Sequence, residues 1–155
     1  MWASGTKPAD ATAVGFDSKV RLSRSADQSI PGVTWTNVAW DVADYDGLSE
    51  FDSDNNRIVV AATGTYTLKY CIVWYNAIAA DWTYAEPQVN GATITPCSGK
   101  PGDVSGEHTK NNGSIDLALT AGDLVTLRVY TSKAGGLNLQ YLSDGGTRLS
   151  LRRAA

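Results

Sequence analysis

Few residues in this chain have the chemistry to act on a substrate or hold an ion. There is one histidine, His108, beside Glu107. A catalytic triad needs a positioned nucleophile and an orienting acid around such a histidine, and no nucleophile-elbow motif accompanies it. His108 therefore reads as a surface residue. Asp52-Ser53-Asp54-Asn55-Asn56 opens like a calcium loop, but Arg57 stands where that loop needs glycine and Thr63 where it needs a bidentate glutamate. A solvated turn leading into a strand is the better reading, with Asp41, Asp44 and Asp46 nearby as material for a looser site. Cys71 and Cys97 are the two cysteines. Bridged, they would close a loop of about 26 residues and add ~3–4 kcal/mol in the chain-entropy model; unbridged, they are two partly buried thiols. No zinc-ligand spacing is present, no carboxylate pair is singled out for glycosidase work, and no cofactor motif occurs. The chain reads as non-enzymatic, without metal or cofactor. What remains is aromatic. Trp74, Tyr75, Trp82 and Tyr84 cluster around a loop, where Trp82 and Tyr84 are candidates for stacking on a sugar ring, or else core and interface residues.

Strands must position these side chains. Of 155 residues, 43% are hydrophobic and 19% charged, a globular balance. Thr, Val, Ile, Tyr and Trp are abundant, Glu occurs three times and Met only at position 1, which suits sheets and not helical bundles. No apolar run approaches the ~20 residues of a membrane span, and residues 1–8 lack the apolar core of a secretory signal. A net charge of −3 offers no electrostatic footprint for nucleic acid. Neither a membrane nor a nucleic acid is expected as partner.

Residues 1–13 show no period and read as an N-terminal arm, either a disordered leader or a docking segment carrying Trp2, Lys7 and Pro8. From 14 to 155, strand and turn signals alternate every 8–14 residues. Strand signals fall at Phe16–Arg24, Thr34–Val42, Arg57–Ala61, Thr65–Asn76, Trp82–Val89, Ser114–Leu119, Leu124–Thr131, Leu137–Leu142 and Thr147–Arg152. Asn90-Gly91 marks a tight hairpin, Ser98–Gly113 reads as a polar loop, and Tyr75–Ala80 is the nearest approach to a helix. Nine or ten strands in one domain predict an all-β, antiparallel two-sheet jelly-roll sandwich.

The order of pieces resembles the tumour-necrosis-factor-like jelly rolls, in particular the complement globular-head type as it occurs in bacteriophage virion proteins. The resemblance rests on Tyr45-Asp46 and Phe51-Asp52, then Arg57-Ile58-Val59-Val60, Gly64-x-Tyr66-x-Leu68, Val89-Asn90-Gly91 and Ser114-Ile115-Asp116-Leu117. Ala121-Gly122-Asp123 and the closing Thr147-Arg148-Leu149-Ser150-Leu151 follow in order. It spans about residues 14–153. Ala61-Ala62-Thr63 departs from the proline that commonly precedes the Gly-x-Tyr strand.

That resemblance implies a homotrimeric binding or structural module, with one sheet of each subunit facing the threefold axis. Period-two alternation then assigns Tyr66, Leu68, Tyr70, Ile72 and Trp74 to the interior, with Ile115, Leu117, Leu119, Leu149 and Leu151. The axial face would carry Thr67, Lys69, Cys71, Val73, Tyr75, Asp116, Arg148, Ser150 and Arg152, with Asp116 pairing Lys69, Arg148 or Arg152 across the seam; otherwise it is the solvated face of a monomer. The chain starts at Met1 and reaches its first strand within about a dozen residues, too short a lead for a fibre shaft. The expectation is a capsid decoration (cement) protein. It would be built into a virion in the host cytoplasm, with the major capsid protein as its partner and the arm as its contact. The alternative is the receptor- or glycan-binding head of a tail fibre or spike.

Overall fold

The computed structural model describes residues 18–94, 98–102, 108–143 and 146–154. They form fourteen strand segments and no helix. In chain order these are β1 Lys19–Ser23, β2 Gln28–Ile30, β3 Thr36–Asn37, β4 Val42–Asp46, β5 Phe51–Asp52, β6 Arg57–Val59 and β7 Gly64–Tyr75. They continue with β8 Trp82–Val89, β9 Ala92–Thr93, β10 Ser98–Pro101, β11 His108–Leu119, β12 Leu124–Thr131, β13 Leu137–Leu139 and β14 Arg148–Arg153. The ladders gather them into two antiparallel sheets packed as a jelly roll. The first runs β2-β13-β7-β14-β1-β4 with β11 added on β7, and the second runs β10-β8-β12-β6-β5 with β3 on β12 and β9 on β8.

The long strand β7 organises the first sheet. One of its edges pairs with β11 along its whole length. The other is shared, by β14 opposite Tyr66–Cys71 and by β13 opposite Trp74 and Tyr75. Its even-numbered side chains from Tyr66 to Trp74 are buried, as alternation requires, and meet Leu149 and Leu151 of β14 and Val125, Leu127 and Val129 of β12 in one core. The Asn90-Gly91 turn closes β8 onto β9 with both residues at positive φ, 52° and 79°, the geometry an Asn-Gly pair tolerates.

Three expectations from the sequence are corrected. Most of Ser98–Gly113 is strand, not loop: β10 and the first half of β11 lie there, and the buried Thr109 and Asn111 point inward although polar. Ile115 and Leu117 are only half-buried, on the edge strand β11 between the buried Asn111 and Leu119. Thr34–Val42 is not one strand: it contributes the two-residue β3 and, at Val42, the first residue of β4, while Val38 and Trp40 between them are buried in the core. Tyr75, where the sequence comes nearest to a helical signal, ends β7; Asn76 follows at φ 59°, and the backbone N–H of Ile78 donates to Asp81 Oδ2 at 3.1 Å.

Candidate functional site

Strand parity divides the candidate residues between the two outer faces of the sandwich. On the first sheet, the registers line up Lys19, Arg152, Thr67 and Asp116 across four strands. Beside that row run Arg21, Ser150, Lys69 and Ser114, and then Ser23, Arg148, Cys71 and Asn112. Thr67, Lys69, Cys71, Asp116, Arg148, Ser150 and Arg152 thus share one continuous face. Tyr75 stands at its far end, exposed, with its ring 6.1 Å from that of His108. Val73 does not join them. It is fully buried, with its N–H bonded to Thr147 Oγ1 at 3.1 Å and its carbonyl to the N–H of Gln140 at 2.8 Å, because the chain between β13 and β14 folds over it.

The electrostatics of this face are stronger than the sequence suggested. Lys19, Arg21, Lys69, Lys110, Arg148 and Arg152 all occupy outward positions, against Asp116 and Asp44. Six bases against two acids leave a surplus of four positive charges on a chain whose net charge is −3. Arg21 pairs with Asp44 at 2.9 Å, and Asp116 accepts the Thr67 hydroxyl at 2.6 Å. Lys19, Lys69, Lys110, Arg148 and Arg152 make no ion pair among the described residues. Two shallow grooves cross the face around Tyr45. One of about 490 Å³ is lined by Thr67, Lys69, Ser150 and Arg152, and one of about 300 Å³ by Arg21, Lys69, Cys71 and Arg148.

Trp82 and Tyr84 lie on the opposite side of the molecule, on the outer face of the second sheet. Trp74 and Tyr75, grouped with them from sequence proximity, part company by alternation: Trp74 is core and Tyr75 is on the first sheet's outer face. In their place the structure brings Trp35 and Tyr130. Tyr84 and Tyr130 are direct cross-strand partners on β8 and β12, with ring centroids 5.9 Å apart. Trp82 lies 6.1 Å from Tyr84 with its plane turned by 21°, and Trp35 lies 5.4 Å from Tyr130 and 6.3 Å from Tyr84. The Arg128 guanidinium sits 4.7 Å over the Trp35 ring, within cation–π range. Both its Nε and Nη2 donate to Glu86 Oε1, at 3.0 and 2.7 Å, and the Thr93 hydroxyl bonds the same oxygen. A period-two reading of β12 places Tyr130 with Arg128. Only the cross-strand register, which the sequence does not state, places them beside Trp82 and Tyr84.

Four of the acidic residues considered for calcium, Asp41, Asp44, Asp46 and Asp52, are engaged separately. Asp52 accepts Asn55 Nδ2 at 2.9 and 3.1 Å and Arg57 Nε at 2.8 Å. Asp46 accepts the backbone N–H groups of Glu50 and Phe51, and Asp41 accepts the Ser25 backbone N–H and the Ser25 hydroxyl. No three potential metal ligands converge among the described residues. The Asn55 and Arg57 hydrogen bonds hold the Asp52 carboxyl below its ordinary 3.8. The Thr120 backbone N–H, with Asn90, does the same for Asp123. A depressed carboxyl pKa stabilises the fold above 3.8 and loses that contribution as pH falls through the folded value. The thermal midpoint is accordingly expected to drop below about pH 4, with a smaller drop in Asp52→Asn than in the parent. Equal acid sensitivity of the two would remove Asp52 as a contributor. Cys71 is half-buried and makes no disulfide among the described residues. Cys97 and the arm residues Trp2, Lys7 and Pro8 lie outside them.

This arrangement of sheets is the tumour-necrosis-factor and complement-head jelly roll. The chain is similar to the crystal structure of murine APRIL at pH 5.0, with a TM-score of 0.63 and 16% identity over 87% of this chain and 97% of that one. It is similar to Eiger TNF from S. frugiperda at 0.62 and 15%, covering 88% and 92%. The globular domain of zebrafish complement 1qA gives 0.64 at 9% identity, covering 88% and 97%. At such identities the likeness defines the fold. No protein-family model matches the sequence, and no curated protein sequence matches it.

Proposed function

We propose that the chain is a non-enzymatic module that assembles as a homotrimer through the outer face of its first sheet and serves as a virion decoration protein. The observation that carries the trimer is the continuous face from Lys19 to Asp116, where every base but Arg21 lacks an ion pair among the described residues. Charges left unpaired when a surface is buried cost several kcal/mol each. A seam built from this face therefore needs Asp116 and Asp44 of one subunit set against Lys69, Arg148 or Arg152 of the next. The fold supports the reading, since tumour-necrosis-factor and complement-head jelly rolls are typically trimers. Threefold repetition would multiply weak contacts to a capsid lattice through avidity, with residues 1–13 as the contacting arm and the major capsid protein as partner.

Light-scattering mass tests the first part. The parent is expected at three times its chain mass at micromolar concentration. Asp116→Lys, which removes one of the two outward acids, is expected to weaken the trimer at least tenfold. A monomeric parent overturns the seam. For the second part, a variant lacking residues 2–13 is expected to remain a trimer and to lose binding to capsids stripped of the protein; retained binding removes the arm's role. The second reading, a ligand-binding head, is favoured by the aromatic run of the second sheet, which the seam leaves on the outside.

A further inference from the structure

The structure assigns the outer face of the second sheet to an uncharged oligosaccharide, held by Trp82, Tyr84, Tyr130 and Trp35 and oriented by Glu86 and Arg128. The inference rests on the ligand-binding reading and names the ligand's chemistry and the residues that hold it.

The four rings form an unbroken run with neighbouring centroids 5.4 to 6.3 Å apart, and both tryptophans are open to solvent, Trp82 at 47% and Trp35 at 39% exposure. Contiguous exposed apolar surface on a small domain marks a binding surface. These rings are also already held. Tyr84 and Tyr130 brace one another across β8 and β12, and Trp35 is held by its contacts with the Tyr130 ring and the Arg128 guanidinium. A ligand thus meets aromatic faces that lose little side-chain freedom on contact.

The backbone beneath them is fitted to the same end. Gly99 of β10 stands directly opposite Tyr84 of β8, and a Cβ there would collide with the Tyr84 ring. Only a glycine at 99 lets that ring lie across the neighbouring strand, which widens the aromatic floor by one strand.

The chemistry selects the ligand. A pyranose offers an apolar C–H face to stack on a ring and hydroxyls around its rim, and the run supplies both halves: flat rings, then the Glu86–Arg128–Thr93 group at its flank. Pockets of this kind combine apolar walls with a few placed polar groups. Arg128 is the cation of the patch and Glu86 already meets it, which leaves no surplus charge to draw in an acidic sugar. The two open tryptophans lie 6.1 Å and 6.3 Å from Tyr84, which gives a ligand three neighbouring rings to rest on.

Titration of the full chain with neutral gluco-, galacto- and manno-oligosaccharides of two to six units, followed by calorimetry and tryptophan fluorescence, tests the assignment. Saturable binding by at least one series is expected, stronger for longer members. Trp82→Ala and Trp35→Ala are each expected to lower affinity at least tenfold. Gly99→Val, which lifts the Tyr84 ring without removing any ring, is expected to weaken binding with the far-ultraviolet circular dichroism unchanged. Asp54→Asn, in the exposed turn between β5 and β6 at the other edge of the second sheet, is expected to leave sugar affinity as it was. Four results overturn the proposal: no binding by any series, binding of acidic sugars alone, affinity indifferent to both tryptophan variants, or a change of oligomeric mass in Trp82→Ala without loss of sugar binding. A monomeric parent that binds the sugar would defeat the trimer and leave this site standing.

Discussion

Trp74→Ala is expected to destabilise the fold by about 3–5 kcal/mol, the range for removing a fully buried tryptophan. Trp74 is completely enclosed, and its indole N–H donates to Asn111 Oδ1 at 2.6 Å. Asn111 is itself fully buried on β11 and turns its Nδ2 to Thr83 O at 3.3 Å and to Ser98 O and Oγ at 3.4 Å. The asparagine therefore ties the first sheet to β8 and β10 of the second, at the end of the sandwich where β11 is covered. Asn111→Ala is expected to cost about 1–3 kcal/mol, because the indole N–H loses its buried partner. The pair also makes a sharper prediction. Removing both halves together, as Trp74→Phe with Asn111→Leu, orphans no indole N–H, so the double variant should cost at least 1 kcal/mol less than the sum of its singles. Urea unfolding at fixed protein concentration measures this, since assembly shifts apparent stability. Additivity within 0.5 kcal/mol would mean that Asn111 packs there without tying the sheets.

Trp74 and Asn111 also mark where the sequence was legible. Alternation along Thr65–Asn76 is a local property, and it assigned Tyr66, Leu68, Tyr70, Ile72 and Trp74 to the interior correctly. The same logic fails on β11. Thr109 and Asn111 are polar residues pointing inward, so a strand whose buried positions are hydrogen-bonded reads as a polar loop. Val73 fails for a different reason: its outward side is covered by a later connection, and no alternation within β7 can anticipate a distant segment. The aromatic run was legible by halves. Trp82 and Tyr84 share a face by period two, whereas Tyr130 and Trp35 join them only through the β8–β12 and β12–β3 registers, which join residues 46 positions apart (Tyr84 and Tyr130) and 93 apart (Thr36 and Val129). The opposed placement of the basic face and the aromatic run has a consequence for assembly. A trimer closed by the first sheet would present three copies of the second, and short sugar chains spaced to match would bind with avidity beyond a single site.

Glu50→Ala is expected to destabilise by about 2–3 kcal/mol, and Glu50→Gln by less than about 1 kcal/mol. Glu50 is 2% exposed, an unusual place for a carboxylate. Its Oε1 accepts the Ser18 hydroxyl at 2.8 Å and the Ala61 backbone N–H at 3.0 Å, and the Ser18 oxygen lies 2.8 Å from the Tyr66 hydroxyl, which in turn donates to Ala62 O at 2.6 Å. One side chain thus joins the residue before β1, the β4–β5 connection and the passage from β6 into β7. Alanine would leave the Ala61 N–H without its acceptor and open a void among these segments. Glutamine keeps the acceptor and the shape. It also replaces Oε2, which is buried with no partner among the described residues, by a neutral group, and burying an unmatched charged oxygen is the costlier arrangement. Thermal unfolding of the two variants at fixed concentration separates the roles. If Glu50→Gln falls as far as Glu50→Ala, the junction depends on the carboxylate's charge and not on its acceptor geometry. If it holds near the parent, the hydrogen bonds to Ser18 and Ala61 are what fasten the start of β1 to the edge of the second sheet.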